Sequence, residues 1–309
     1  VSETSSPSDR PVFPTGVQYE ISGGGYRAVV TELGATLRLL QYEGRDLIHG
    51  FGPDETIGGG RGQQLIPWPN RIRDGRYTFD GTTQQLPLAE PDRQNAMHGL
   101  VRWTGWRLVS HEPSSVTLQV TVFPQKGWPT VLDCTLSYRL SAGGLEVDVE
   151  ARNVGAHRAP FGYGAHPYLT AGEADVSELE LVVPAARRLR VDDRMLPVEL
   201  VEVDDADGFR TPRRVGDTDL DTAFTGLDRG PDGRWRVSIT GGDRRTTLWA
   251  DENHRWTQVF TGNADRTGGL AVEPMTCGPD AFNDGPTSDG LVVLEPGAAC
   301  RGRWGIYAG

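Results

Sequence analysis

Alternation of apolar and polar residues with a period of two is the feature that most limits what this chain can become. Val116, Leu118, Val120 and Val122 are separated by Thr117, Gln119 and Thr121. Successive side chains of an extended strand point to opposite faces, so this stretch buries a single apolar face only as β-structure. The pattern returns at Leu136, Tyr138 and Leu140, pauses at Ser141-Ala142-Gly143-Gly144, and resumes at Leu145, Val147 and Val149 against Glu146, Asp148 and Glu150. Two such runs around a glycine-bearing turn predict a β-hairpin. Further strand-like runs at 26–33, 36–42, 76–79, 106–111, 179–183, 235–240, 246–250, 257–261, 270–273 and 291–294 are punctuated by Gly, Pro, Asn and Asp. Glycine and proline supply 40 and 21 of the 309 residues, well above the roughly 12% of an average protein, which implies many turns and short elements. No segment repeats at a fixed period of roughly 20–50 residues, so a propeller or solenoid lacks its signature. The expectation is an all-β fold, a large antiparallel β-sandwich with few helices.

No low-complexity linker divides the chain, and the most loop-like interior stretch, 203–220, has strand patterns on both sides. A single domain is therefore expected over 15–309, behind a flexible polar tail at 1–14. With 42 acidic against 31 basic residues the formal net charge is −11, a field that repels phosphate backbones and anionic membrane surfaces. Nucleic acid and membrane are excluded as expected partners. No run approaches the roughly 18 apolar residues of a membrane span, and the first residues carry neither the basic nor the apolar part of an export signal. Lys126 is the sole lysine, so Schiff-base chemistry would have to fall on it. Cys134, Cys277 and Cys300 are widely spaced without a CxxC pair, which fits a reducing, cytoplasmic setting. A monomer or homodimer is expected.

Four short segments can carry chemistry. His166 lies in Gly162-Tyr163-Gly164-Ala165-His166-Pro167-Tyr168-Leu169, where the proline pushes the histidine toward an extended backbone and the glycines permit tight turns beside it. Glu273 ends the apolar run Leu270-Ala271-Val272 and precedes Pro274-Met275-Thr276, so a carboxylate emerges from a rigid, buried strand. Arg71, in Asn70-Arg71-Ile72 after Pro67-Trp68-Pro69, offers a fork of donors suited to hydroxyls or a carboxylate. His98, in Met97-His98-Gly99-Leu100 ahead of Arg102, Trp103 and Trp106, is an imidazole placed at a loop. Taken singly, His166 reads more readily as a histidine satisfied beneath a loop and Glu273 as a solvated strand-end acid, while Arg71 reads equally well as an arginine paired to a surface acid.

Weaker signals are set aside. Gly58-Gly59-Gly60-Arg61-Gly62 lacks the Gly-Lys-Ser/Thr ending of a phosphate loop and reads as a mobile loop before Gln63. His49, His111, His157 and His254 share no metal-ligand spacing and read as surface or structural residues. The acidic run Asp204, Asp205 and Asp207 reads as a solvated loop rather than a calcium site. Of the eight tryptophans, Trp68, Trp103 and Trp249 lie near candidate site segments, and one or two of them are expected against a ligand.

Taken in order, Asn-Arg-Ile, His-Gly, His-Pro-Tyr, an aspartate before a short aromatic-containing run, Gln-Val-Phe-Thr-Gly-Asn and Glu-Pro…Pro-Asp-Ala-Phe-Asn resemble the aldose 1-epimerase, or galactose mutarotase, family over residues 17–308. The resemblance implies a large mutarotase-like β-sandwich with a sugar cleft, His166 as general acid and Glu273 as general base. It further implies that Arg71, His98 and Asp221 hold the sugar. Asp221 rests on Leu220-Asp221-Thr222-Ala223-Phe224, where many relatives have histidine at the position of Thr222, and Asp219 is a rival. Leu169 and the Pro-Trp-Pro approach to Asn70 depart from the common pattern. The implied reaction opens a cyclic hemiacetal: the C1 hydroxyl loses a proton and the ring oxygen gains one. With ordinary pKa values near 4.3 for Glu and 6.5 for His, a carboxylate and an imidazolium coexist near neutrality, aided by nearby acids. No cofactor, metal or covalent intermediate is needed.

Three rivals stay open on sequence. A hexose-phosphate 1-epimerase would use the same pair and add arginines at the sugar's far end, for which Arg61, Arg73, Arg102, Arg187 and Arg188 are available. A non-catalytic sugar-binding protein could occupy the same fold. A glycoside hydrolase would need a second carboxylate, with Asp221 the only partner for Glu273.

Overall fold

The computed structural model describes residues 12–204, 208–262 and 268–309. Most of the expected tail, Asp205 and Asp207 of the acidic run, and Asn263 of the Gln-Val-Phe-Thr-Gly-Asn motif lie outside them. Strands dominate. Among the described residues the helical elements are short 3-10 turns at Pro91–Arg93, Val176–Glu178 and Ser288–Gly290, and no helix is long and apolar enough to cross a membrane.

Two large antiparallel sheets organise the molecule. The first has nine strands in the order Arg107–Glu112, Ser115–Val122, Leu132–Ser141, Gly144–Asn153, Ala299–Ala308, Arg244–Ala250, Trp235–Gly241, Glu180–Val182 and Arg213–Arg214. The second has eight: Pro197–Glu202, Ala185–Val191, Asp221–Leu227, Trp256–Phe260, Leu270–Met275, Gly164–Ala165 and Gln64–Leu65 in sequence across the sheet, with Tyr168–Leu169 also paired to Leu270–Met275. A four-stranded sheet of Gln18–Gly23, Tyr26–Thr31, Leu37–Tyr42 and Arg45–Asp46 flanks them.

The alternation that predicted strands is repeated in burial. In Ser115–Val122 and Gly144–Asn153 the apolar positions are buried and their neighbours half-exposed. The expected hairpin pairs Leu136 with Val149 and Leu140 with Leu145 around the turn. Gly144 has φ +103, and a Cβ there would come within 2.5 Å of the Ile306 carbonyl, so the turn requires glycine. One buried cluster joins the sheets, running from Tyr19, Val30 and Leu40 through Leu136, Val147 and Ile306 to Phe224, Val259 and Val272. Its polar rivet is a buried chain in which Trp304 Nε1 donates to Tyr163 Oη at 2.7 Å, and Tyr163 donates to Gln64 Oε1 at 2.7 Å.

The sequence runs read as strands are strands, with ends moved by a few residues. Others carried no clear period. Ala185–Val191 and Ala299–Ala308 place arginines on their outward positions and Ala or Gly on several inward ones, which blurs the apolar signal. Yet Ala299–Ala308 sits mid-sheet: a Cβ at Gly305 would lie 2.1 Å from the Leu145 carbonyl, so close packing replaces the usual branched side chain. The stretch 203–220 also holds a short strand, Arg213–Arg214, paired with Glu180–Val182.

Candidate active site

Glu273 occupies the middle of Leu270–Met275, a strand buried at all six positions. It stands opposite Gln258 in the register with Trp256–Phe260. His166 follows Gly164–Ala165, and its backbone is clamped on both sides: its N–H donates to Gln63 O at 3.0 Å, and its carbonyl accepts from Gly62 N at 2.9 Å. The ring stacks on Tyr168 with centroids 5.1 Å apart and planes 15° from parallel. Tyr168 is fixed in turn by donating to Gly59 O at 2.8 Å. The two strands bring His166 Nε2 to 3.3 Å from Glu273 Oε1, with both side chains almost wholly buried.

Around this pair opens a cavity of about 590 Å³ lined by Arg71, His98, His166, Asp221 and Glu273, together with residues discussed below. Arg71 grips Glu90 in a two-point ion pair, Nε to Oε2 at 2.9 Å and Nη2 to Oε1 at 3.0 Å. Its Nη1 lies 3.8 Å from Asp221 Oδ2. Burial acts to raise the Glu90 pKa, but hydrogen bonds from Arg71, Arg93 and Asn95 outweigh it and hold the carboxyl near about 2. Arg71 is thus anchored by an acid behind it. Asp221 Oδ1 accepts from Gln258 Nε2 at 2.5 Å. Asp219 instead accepts from Thr261 at 3.1 Å and is absent from the cavity lining.

His98 and Asn70 both adopt left-handed backbone angles, φ +60 and +55, the kind of conformation that non-glycine residues keep only where surrounding structure enforces it. Here the enforcement is mutual. The His98 N–H donates to Asn70 O at 2.9 Å, and the Asn70 N–H donates to His98 Nδ1 at 3.1 Å. Accepting at Nδ1 leaves the ring proton on Nε2, so neutral His98 is a hydrogen-bond donor. Burial, reinforced by His166, Arg102 and Arg71, pushes its pKa well below the ordinary value.

The reactive pair departs from the sequence expectation. Nearby acids do not hold His166 charged. Burial lowers its pKa to about 3, opposed by a backbone hydrogen bond and aided by Arg102. Burial and the Asp221 charge push Glu273 well above the usual carboxylate range. Both shifts favour the uncharged forms, so the pair holds one proton in common, and its two titration steps belong to the pair rather than to either residue. Glu273 Oε2 and His166 Nδ1 are buried without a hydrogen-bond partner among the described residues.

Several cavity residues went unseen in the sequence. His49, read as surface or structural, lines the cavity and accepts from Arg61 Nη1 at 3.1 Å through Nε2. The glycine-rich segment, read as a mobile loop, also lines it: Gly60 has φ +75, and a Cβ there would sit 3.1 Å from the His166 ring. A run of glycines is what so close an approach requires, though nothing in its spacing names its target. Trp103 is the tryptophan in the lining and is 59% exposed. Trp68 is buried against Phe282, and Trp249 lies under the Arg234 guanidinium. Of the arginines considered for a phosphate, Arg61 and Arg102 line the cavity, while Arg73 is turned to Asp280 and Arg187 and Arg188 lie on Ala185–Val191. Among the described residues no group of three or more His, Cys, Asp or Glu side chains could hold a metal ion.

A family model of aldose 1-epimerases matches residues 17–306. The chain belongs to the aldose 1-epimerase family. It is 34% identical over 295 residues to the uncharacterized protein YihR of Escherichia coli, covering 95% of this chain and 94% of that one. It is also 28% identical over 159 residues to the galactose mutarotase of Rattus norvegicus, covering 48% of this chain and 44% of that enzyme. A crystal structure of a GalM/aldose epimerase homologue from C. elegans superposes with a TM-score of 0.82 at 19% identity, covering 95% of this chain and 98% of that one. The all-β sandwich is therefore the galactose mutarotase-like fold, as the family resemblance implied.

Proposed function

We propose that this member of the aldose 1-epimerase family interconverts the α and β anomers of an aldose by acid–base ring opening and closure. The observation that carries the reading is the 3.3 Å approach of His166 Nε2 to Glu273 Oε1 beside a sugar-sized cavity. Glu273 takes the proton of the C1 hydroxyl as the C1–O1 bond becomes a carbonyl. The electron pair of the cleaved C1–O5 bond goes to O5, which receives the proton of His166. The open-chain aldehyde turns about C1–C2, and closure on the other face returns both protons.

Ring opening by this route converts a carboxylate and an imidazolium into two neutral groups. Burial favours the neutral forms at both residues, so the carboxylate–imidazolium form that starts this route is reached by moving the shared proton from Glu273 to His166, and ring opening returns the pair to its neutral form. The proton count of the pair never changes, which removes any need for exchange with solvent during turnover. Arg71, fixed by Glu90, and His98, with its proton on Nε2, donate to sugar hydroxyls, while Asp221, steadied by Gln258, accepts from them. Residues 15–309 act as one catalytic domain in this reading, consistent with the buried cluster that runs from Tyr19 to Ile306. The scheme uses no cofactor or metal.

The test is the optical rotation of freshly dissolved α-glucose and α-galactose, at a pH where spontaneous equilibration is slow. Faster relaxation to an unchanged end point supports the proposal. Binding of either sugar without acceleration would leave a non-catalytic sugar-binding protein.

A further inference from the structure

The cavity holds positive charge that ring opening does not use. Arg61, Arg71 and Arg102 all line it, but among the described residues only Arg71 is paired with acids, Glu90 and Asp221. The partners of Arg61 are neutral: Gly58 O at 3.2 Å, Gly50 O at 2.9 Å, His49 Nε2 at 3.1 Å and the face of Phe51. Those of Arg102 are neutral and long, Gln63 Oε1 and Met97 O, both at 3.4 Å, and its Nε is buried with no partner among the described residues.

A guanidinium keeps its charge at all ordinary pH, and Arg61 and Arg102 are half-buried, so each is partly withdrawn from water with only neutral partners among the described residues, which is costly. Shortage of acid does not explain the arrangement, since the chain carries 42 carboxylate side chains and a formal net charge of −11. The two arginines also come from connected segments. Gln63 accepts from Arg102, and its backbone N–H donates to Gly60 O at 3.0 Å, tying the turn that bears Arg61 to the loop that bears Arg102. Among the described residues no acid pairs with either guanidinium, so a neutral sugar would add no counter-charge to them.

We propose that the cavity takes an aldose bearing an anionic substituent, whose oxyanion is gripped by Arg61 and Arg102 while the ring lies against Glu273 and His166. The proposal rests on this cavity being the sugar site of the epimerase reading. Planar forks of donors suit a phosphate or carboxylate oxygen pair. His49, accepting from Arg61, fixes the direction in which that fork points.

The experiment compares glucose, glucose 6-phosphate and glucuronate by isothermal titration calorimetry at low salt, with anomer exchange followed in parallel by NMR exchange spectroscopy. At least one charged sugar is expected to bind about tenfold or more tighter than glucose. Preference for glucose 6-phosphate assigns a tetrahedral anion, and preference for glucuronate a carboxylate. Arg61→Gln and Arg102→Gln should each reduce the charged-to-neutral affinity ratio about tenfold, and Arg102→Lys, which keeps the charge, should retain part of it. Glucose binding as tightly as both charged sugars, or a preference that survives both glutamine variants, overturns the proposal. Charge preference without anomer exchange supports the anion site and removes the epimerase reading. Exchange of glucose with no charge preference removes the anion site alone.

Discussion

Two buried histidine–carboxylate pairs stand among the described residues, and their surroundings set them apart. His254 Nδ1 lies 2.8 Å from Asp251 Oδ1, with the ring fully buried and outside the lining of the sugar cavity. Asp251 is surrounded by donors: besides His254 it accepts from Arg303 N at 2.8 Å and Asn253 N at 3.1 Å. Burial acts to raise its pKa, but these bonds prevail and hold it below the ordinary value. Glu273 has no such company. Its Oε2 has no hydrogen-bond partner among the described residues, and burial drives its pKa up. A carboxylate saturated with donors is a fixed anion that ties a turn to a neighbouring strand, whereas one starved of donors can take up and release a proton. The contrast explains why the proposed chemistry falls to His166 and Glu273.

Exchanging roles at the two pairs tests this. Glu273→Gln should lower kcat for anomer exchange by about 10²–10⁴-fold with little change in sugar affinity, measured by NMR exchange and calorimetry. Comparable activity in the variant would deny Glu273 a proton-transfer role. Asp251→Asn should do the reverse, keeping kcat within about threefold while costing about 2 kcal/mol of folding stability in urea titration, because it weakens a charged network of hydrogen bonds. The depressed pKa gives this contribution a pH signature. It is present above the ordinary carboxylate value and lost as pH falls through the lower folded-state value, so the stability gap between wild type and variant should close in acid.

The pH profile sharpens the comparison further. With burial lowering His166 to about 3 and raising Glu273 well above the carboxylate range, the pair carries a single proton across the interval between its two titration steps. The rate should therefore be level across that interval and fall on both sides of it, with the acid limb below the ordinary carboxylate value of about 4.3. An acid limb centred above about 4.3 would mean that burial does not set the protonation of this pair. The smallest effect expected is at the sugar-holding acid: Asp221→Asn should raise KM about tenfold with a lesser change in kcat, through loss of accepted hydroxyl bonds. Asp219→Asn, outside the cavity lining, should be silent, and the opposite outcome would exchange their assignments.

Strand positions were legible wherever a branched apolar residue alternated with a polar one, as in Ser115–Val122, because burial of one sheet face demands that pattern. Ala299–Ala308 was illegible because Gly302 and Gly305 hold places where close neighbours leave no room for a side chain. His166, Glu273, Arg71, His98 and Asp221 could be picked out by their local motifs and their order along the chain, and all five line one cavity. His49, Arg61 and Gly60 could not, since their meaning depends on what lies across the cavity from them.

By itself the sequence determined that this chain forms twisted antiparallel sheets and which acid, imidazoles and arginine were available for chemistry, since periodicity and residue type are local properties. Tertiary structure alone decided that burial pushes His166 and Glu273 toward their uncharged forms while donors hold Asp251 toward its ionised form beside His254. Solvation and donor count, which set those protonation states, arise only when strands distant in the chain close around each side chain.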